Sequence, residues 1–362
     1  MVLFVKSKFC VFFEILCKAK RRHIEKNHYL CRVMEKKDIR IVYMGTPDFA
    51  VPTLDALVSG GYNVVGVITM PDKPAGRGHK MQFSPVKQYA LDHDLPLLQP
   101  EKLKDETFLA ALREWKADLQ IVVAFRMLPE VVWNMPRMGT FNLHAALLPQ
   151  YRGAAPLNWA VINGDEKTGC TTFFLDHEID TGRIILKVEL PIAPEENVGS
   201  VHDRMMEMGK GLVCRTVDLL VEAEGEVEKI PTIDQETLYK DVTELRPAPK
   251  IFKETCEMHF DCPVRQLHNL VRGLSPYPAA WTELTTAAGE KMTPVKVFRT
   301  SVVKEGVPQP AEKIGQVETD QKSYIHITCA DGVLALEELQ LPGKKRMEVK
   351  ALLNGVKLAV NN

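Results

Sequence analysis

The eight cysteines include no Cys-x-x-Cys pair, and three of them (Cys10, Cys17 and Cys31) fall within the first 33 residues. That usage argues against a disulfide framework and against a zinc site, and it suits the reducing cytoplasm. The apolar opening, Val2–Val5 and Phe9–Phe13, is broken by Lys6, Lys8 and Glu14. It is too interrupted to span a bilayer and lacks a small-residue cleavage site, so neither membrane insertion nor secretion is expected. Charge of one sign is also missing: the net is -1. Residues 1–33 carry eight cations against two acids, a net of +6, which leaves -7 for the remainder. Polyanion binding by the folded part must therefore come from a local basic patch. There is no internal repeat and no low-complexity tract.

A chain of 362 residues is long enough for two or three domains. Ile39–Met44 reads as a buried strand running into Gly45-Thr46-Pro47-Asp48. Val51, Leu54, Leu57 and Val58 then recur at helical spacing up to Gly60-Gly61, and the valine-rich Tyr62–Thr69 is the next strand. This β-α-β opening predicts an α/β fold, a doubly wound and mostly parallel sheet. The first turn has no G-x-G-x-x-G, so a dinucleotide site is not expected. Further strands are expected at Pro96–Gln99, Leu119–Ala124, Thr140–His144, Cys170–Leu175 and Ile184–Leu190, with a long helix over Val201–Val221. Ala223–Arg246, rich in Glu and Lys, reads as a linker with few residues able to bury anything. Beyond it the pattern predicts a helix capped by Asp261 and stopped by Gly273. Strands at Ala280–Leu284, Val295–Phe298, Tyr324–Cys329 and Val333–Leu339 follow and suggest a small barrel. The expected division is an extension at 1–33, read as a mis-assigned start or a disordered segment with Met34 as the true start, an α/β domain at 34–222, a linker at 223–246 and a β domain at 247–362.

In a strand over Thr140–His144, Asn142 and His144 point the same way and Leu143 points into packing. An amide can hold a developing oxyanion, and an imidazole beside it can move a proton. Open α/β sheets place their ligand crevice at the carboxyl ends of strands, where this pair sits. Asp180, in the turn Ile179-Asp180-Thr181-Gly182, is expected at a similar strand end. Its carboxylate should raise the imidazole's pKa and keep more of it protonated near neutrality. Singly, these are ordinary turn and core residues; together they suit transfer of a one-carbon acyl group to an amine. None is a covalent nucleophile, and Cys170 reads as core. The basic loop Pro71–Pro85, with Lys73, Arg77, His79 and Lys80, is either a solvated excursion or a clasp for a phosphate backbone.

From about Ile39 onward the chain resembles the methionyl-tRNA formyltransferase family. The matching segments are Met44-Gly45-Thr46-Pro47-Asp48-Phe49-Ala50, Pro71-Asp72-Lys73-Pro74-Ala75-Gly76-Arg77-Gly78, Asn142-Leu143-His144, Leu147–Pro156 and Ile179-Asp180-Thr181-Gly182. The resemblance implies a Rossmann-like formyltransferase domain followed by an OB-like β-barrel. It further implies 10-formyltetrahydrofolate as co-substrate, no metal, initiator methionyl-tRNA as acceptor, no membrane partner, and a cytoplasmic monomer. It puts Asn142, His144 and Asp180 on the family's catalytic triad, and Ala146, Leu147, Leu148 and Pro149 on its folate-contacting motif. Arg126, Met127 and Leu128 fall on a strand-end loop that lines the pterin pocket in related folate formyltransferases. Lys73, Arg77 and Lys80 fall on the insertion that enters the tRNA acceptor stem, with Arg77 at its tip. Lys250, Lys253, Lys344, Lys345 and Arg346 are further candidates for phosphate contacts.

Two departures from the family pattern stand out. Ala146 occupies a position where the family commonly has serine, a lost hydrogen bond of order ~1 kcal/mol net. Residues 1–33 have no family counterpart. The alternatives are a folate-dependent formyltransferase for a small amine, such as a purine ribonucleotide or an amino sugar, and a catalytically inactive RNA-binding relative.

Overall fold

Arg40–Gly45 (β1) is apolar almost throughout, and every residue after Arg40 is buried, as in a strand covered on both faces. A single 3-10 turn leads into helix α1 (Val51–Ser59), and the chain returns as β2 (Asn63–Ile68), parallel to β1. The basic loop that follows is a hairpin in its described parts, Lys73–Ala75 (β3) pairing antiparallel with Lys80–Gln82 (β4). Helix α2 (Pro85–Asp92) starts at Ser84, whose hydroxyl accepts the Lys87 N–H, and β5 (Leu97–Leu98) follows. Asp105 caps helix α3 (Glu106–Glu114) by accepting from the N–H groups of Thr107 and Phe108. Then come the wholly buried β6 (Leu119–Val123), the short α4 (Glu130–Trp133), β7 (Thr140–His144) and α5 (Pro156–Ile162). Strands β8 (Lys167–Phe174) and β9 (Ile184–Pro191) and helix α6 (Val198–Glu222) complete this part.

The structure is a computed structural model that describes residues 33–75, 80–241 and 244–360. It divides into two units, Met1–Glu35 and Lys36–Asn362. The expected extension lies outside the described residues except for Val33, as does Arg77. In the second unit the first sheet has the order β5-β2-β1-β6-β7-β8-β9. Pairing is parallel from β5 through β7, then antiparallel for β7–β8 and β8–β9. Helix α3 buries Phe108, Leu109 and Leu112 in one cluster with Val42, Met44, Ile68 and Val122 on one face of the sheet. Helix α6 covers the other face, where its Gly209 sits against Leu143. The sheet is thus doubly wound, and the strand order turns back between β1 and β6, which opens a crevice at their carboxyl ends.

The rest of the chain builds a small OB-like β domain. Helix α7 (Val264–Leu274) precedes β10 (Ala280–Thr285), β11 (Lys291–Lys304), β12 (Val317–Glu318), β13 (Ile325–Cys329), β14 (Gly332–Gln340) and β15 (Met347–Glu348). A short helix, α8 (Val349–Leu353), follows. The strands pair antiparallel in the order β10-β11-β14-β13-β12, with β15 beside β14. Leu267, Val271, Val297, Ile327 and Leu336 share their core.

Three sequence expectations change here. The cap of α7 is not Asp261: the side chain of Asp331, far along the chain, accepts the Val264 N–H at 2.7 Å. Gly273 does not stop that helix. It lies within it, because a Cβ there would come within 2.5 Å of Ile162 and the absent side chain lets α5 and α7 approach. The linker also buries more than its composition suggests, with Ile230 6% and Gln235 1% exposed.

Gly66 tests how tightly the first sheet is packed. The β1–β2 register slips by one residue just before it, and a Cβ at Gly66 would meet the Trp115 ring at 2.5 Å. Gly66→Ala should therefore destabilise the fold by about 1–3 kcal/mol through overpacking. Urea unfolding measures this, and an unchanged midpoint would show that the indole can move aside.

Candidate active site

Asn142 pairs with Val122 and His144 lies two residues further along β7, so both side chains leave the same face of the sheet, opposite Leu143. The Asn142 side chain is half-buried and makes no hydrogen bond among the described residues. His144 is 5% exposed. Its Nε2 lies 2.8 Å from the carbonyl oxygen of Tyr151, and its Nδ1 lies 3.8 Å from Asp180 Oδ2. A carbonyl only accepts, so Nε2 carries the hydrogen, and in the neutral ring Nδ1 is the free base.

Asp180 does not arrive as the sequence suggests. Strand β8 is antiparallel to β7, and its last residue, Phe174, pairs with Phe141 rather than His144. The 175–183 loop therefore starts level with the far end of β7 and doubles back along the sheet to reach the imidazole. Asp180 takes the left-handed conformation in that loop, φ 57°. The Gly153 N–H fixes its carboxylate, donating to Oδ2 at 2.9 Å. Gly153 itself has φ 127°, and a Cβ there would lie 2.5 Å from the Ala248 carbonyl oxygen, so no other residue fits that turn.

The turn that carries the Tyr151 carbonyl is pinned from outside the first sheet. The Tyr151 N–H donates to the Arg246 carbonyl at 2.7 Å, and Ala248 exchanges backbone bonds with Arg152 and Ala154. The Tyr151 hydroxyl donates to Asp165 at 2.7 Å, and the Arg246 guanidinium bonds both residues. Sequence reasoning passed over Arg246 and Gln235. Both sit in a Glu- and Lys-rich stretch, where scattered apolar residues such as Ile230, Ile233 and Leu238 are the sign of docking.

Burial decides the charge of His144. Loss of water disfavours the imidazolium more than the Asp180 carboxylate favours it, and the Arg152 guanidinium adds to the effect, so the pKa lies below its ordinary value. The shift is opposite to the one expected from the Asp180 carboxylate alone, because the dry surroundings outweigh it.

The segment 146–149 packs inward. Ala146 and Leu148 are buried, and Thr171 Oγ1 links them by donating to the Ala146 carbonyl and accepting the Leu148 N–H. Leu147 lies against Gly169, and Pro149 follows a cis peptide bond. After β6 the three loop residues diverge. Met127 is 73% exposed, Leu128 joins the α3 core, and the Arg126 guanidinium donates to the carbonyls of Pro100 and Glu101. Arg126 Nε and Thr46 Oγ1 are buried without a partner among the described residues, one just past β6 and one just past β1. A separate cavity of about 450 Å³ beside Pro100 and Glu101 is lined by none of Asn142, His144 or Asp180.

Of the basic candidates, Lys73 is exposed at the base of the hairpin, and the side chains of Arg77 and Lys80 lie outside the described residues. Lys250 lies over Phe252 and Lys253 over Trp281, and neither pairs with a carboxylate among the described residues. Arg346 is less available, since Glu338 binds it through both oxygens and Phe298 stacks on it.

The low pKa of His144 has a consequence for stability. The unfolded chain takes up this proton near pH 6.5, before the folded protein does. As pH falls below that value the folded state is penalised until its own lower pKa is reached. NMR of the His144 ring should show the neutral Nε2–H tautomer at pH 6.5. A doubly protonated ring at that pH would reverse the assignment.

Comparison with known proteins shows the family. A profile described as "Formyl transferase" matches residues 39–217, and one described as "Formyl transferase, C-terminal domain" matches 250–357. The chain is 62% identical to the methionyl-tRNA formyltransferase of Bacteroides thetaiotaomicron over 326 residues, 90% of this chain and 98% of that one. It is 48% identical to that of Porphyromonas gingivalis over 326 residues, again 90% and 98%. Among solved structures, the sugar 3N-formyltransferase WlaRD, crystallised with dTDP and 5-N-formyl-THF, superposes with a TM-score of 0.59. It covers 85% of this chain and 99% of WlaRD at 15% identity, a likeness of fold. HypX from Aquifex aeolicus, in complex with tetrahydrofolic acid, gives 0.54 over 88% of this chain and 48% of its own, at 18% identity. With both profiles in order along the chain and identity this high over nearly the whole length of its relatives, the chain belongs to the methionyl-tRNA formyltransferase family.

Proposed function

We propose that the chain moves the formyl group of 10-formyltetrahydrofolate to the α-amino group of methionyl initiator tRNA, and that Asn142, His144 and Asp180 carry the step. The observation that supports these roles is the unspent Asn142 amide, on the same face as a neutral imidazole whose free Nδ1 looks toward a fixed carboxylate. The folate supplies a formyl carbon and, when its C–N bond breaks, takes back one hydrogen. Asn142 donates to the carbonyl oxygen as negative charge builds there. The neutral amine attacks the formyl carbon; His144 Nδ1 accepts the proton that its nitrogen must lose once the new N–C bond forms, and Asp180 stabilises the imidazolium so formed. That proton then passes to the departing nitrogen, so one N–C bond replaces another and no net charge is left behind. Little base strength is required, because a free α-amino group titrates near ~8 and esterification lowers that value. Positioning does most of the work.

Around this centre we assign folate contacts to Arg126, Met127 and Leu128 and to Ala146–Pro149. The tRNA contacts fall to Lys73, Arg77 and Lys80 of the basic loop sequence and to Lys250 and Lys253 beside the second sheet. The proposed organisation is a catalytic domain at 34–222, a linker at 223–246 that docks against the catalytic turns, and a β domain at 247–362. We place the enzyme in the cytoplasm as a monomer, in keeping with the free thiols of Cys170, Cys214, Cys256, Cys262 and Cys329. No helix among the described residues is long and apolar enough to cross a membrane.

Formylation of charged initiator tRNA, run beside free amino sugars and aminonucleotides, tests the substrate. Turnover of the small amines alone would overturn the assignment. Asn142→Ala should lower kcat by roughly 100- to 1000-fold, the usual cost of one oxyanion donor, with the Kd for tRNA unchanged. Wild-type turnover in that variant would remove Asn142 from the mechanism.

A further inference from the structure

Gln235 lies in the stretch that composition marks as a linker, yet it is 1% exposed and its hydrogen-bonding capacity is fully used. A primary amide has two hydrogens to donate and two lone pairs to offer. Gln235 Nε2 donates to the carbonyls of Asp180 at 2.9 Å and Gly182 at 2.8 Å. Its Oε1 accepts from Arg152 Nε at 3.2 Å and Nη2 at 2.7 Å. The backbone on either side is anchored as well. Ile233 exchanges two hydrogen bonds with Ile184, both 2.9 Å, Arg183 grips Thr232, and the Tyr239 ring covers the Arg152 guanidinium.

The two turns joined by this amide are the two that hold His144. Arg152 follows Tyr151, whose carbonyl takes the Nε2 hydrogen, and precedes Gly153, whose N–H fixes the Asp180 carboxylate. Asp180 sits in the left-handed conformation, which aspartate tolerates better than most residues, and its carbonyl is held there by the Gln235 amide. We propose that Gln235 is a positioning residue for formyl transfer, tying the Asp180 turn to the Arg152 turn and so setting the spacing between His144 and Asp180. The inference rests on the reading that His144 and Asp180 carry the transfer. Gln235 touches no reacting atom; it acts through Asp180 and Arg152.

Two substitutions in the full chain separate its functions. Gln235→Glu keeps oxygens for the Arg152 fork but has nothing to donate to two carbonyls. Gln235→Met keeps the length and loses both sets of bonds. Both variants, checked as folded by thermal unfolding, should show kcat reduced by about 100-fold, the effect of a small misplacement of a catalytic group, with KM unchanged for formylfolate and charged tRNA. In the neutral Gln235→Met variant the acidic limb of the kcat–pH profile should also move to lower pH. The carboxylate that supports the His144 imidazolium then drifts, while burial and Arg152 continue to oppose that charge. A folded Met variant with wild-type kcat and pH profile overturns the proposal, as does a loss shared equally between kcat and both KM values, which marks general loosening. Should Gln235→Met fail to fold, Arg152→Lys, which breaks the same fork and keeps the charge, is judged by the same criteria. His144→Ala serves as the control. If it is inactive while Gln235→Met is normal, the positioning role alone fails; if it retains full kcat, the reading of the site fails and this inference with it.

Discussion

The buried contact between His144 and the Tyr151 carbonyl governs the rest of the site. It commits Nε2 as a donor, fixes the ring's tautomer and orientation, and leaves Nδ1 as the single position that can exchange a proton. Because the ring is nearly dry, it rests neutral, and the Asp180 carboxylate becomes a reserve of stabilisation that counts once a proton arrives. The gap of 3.8 Å between Nδ1 and Asp180 Oδ2 is too long for a hydrogen bond in the resting state and short enough for strong attraction to an imidazolium.

Such a contact needs rigid backbone on both sides of the ring, and the fold supplies it from three directions. Strand β7 holds the imidazole in the sheet. The Tyr151–Gly153 turn is fastened by Arg246, the last residue of the stretch read as a linker, and by Ala248 just beyond it. The Asp180 turn is fastened by Gly153 and Gln235. The connection between the two sheets is thus fastened to both turns that flank the ring, through Gln235 and Arg246, while most of its charged side chains remain exposed.

The β domain bears on this arrangement through packing. Gly273, in α7, lets that helix approach α5, which follows directly on the Tyr151–Gly153 turn. The Arg272 guanidinium donates to the Glu196 carbonyl just before α6. Among the described residues, then, the helix of the β domain packs directly against elements that adjoin the Tyr151–Gly153 turn and α6.

Much of this was present in the order of residues. The β-α-β opening, the doubly wound sheet, the shared direction of Asn142 and His144, and the family resemblance all follow from local periodicity and short motifs, because strand alternation and turn chemistry act between near neighbours. Other features depended on the fold. That β8 runs against β7, so that Asp180 reaches His144 from a loop doubling back, is a matter of strand pairing between distant segments. That His144 is neutral rather than charged follows from exclusion of water by residues far apart in the chain. The place of Gln235 was hidden for the same reason: an amide looks alike in every linker until the carbonyls and guanidinium that saturate it are brought together from 53 to 83 residues away. Sequence patterns report which groups a segment can bury; only tertiary structure decides which charges lose their water and what replaces it.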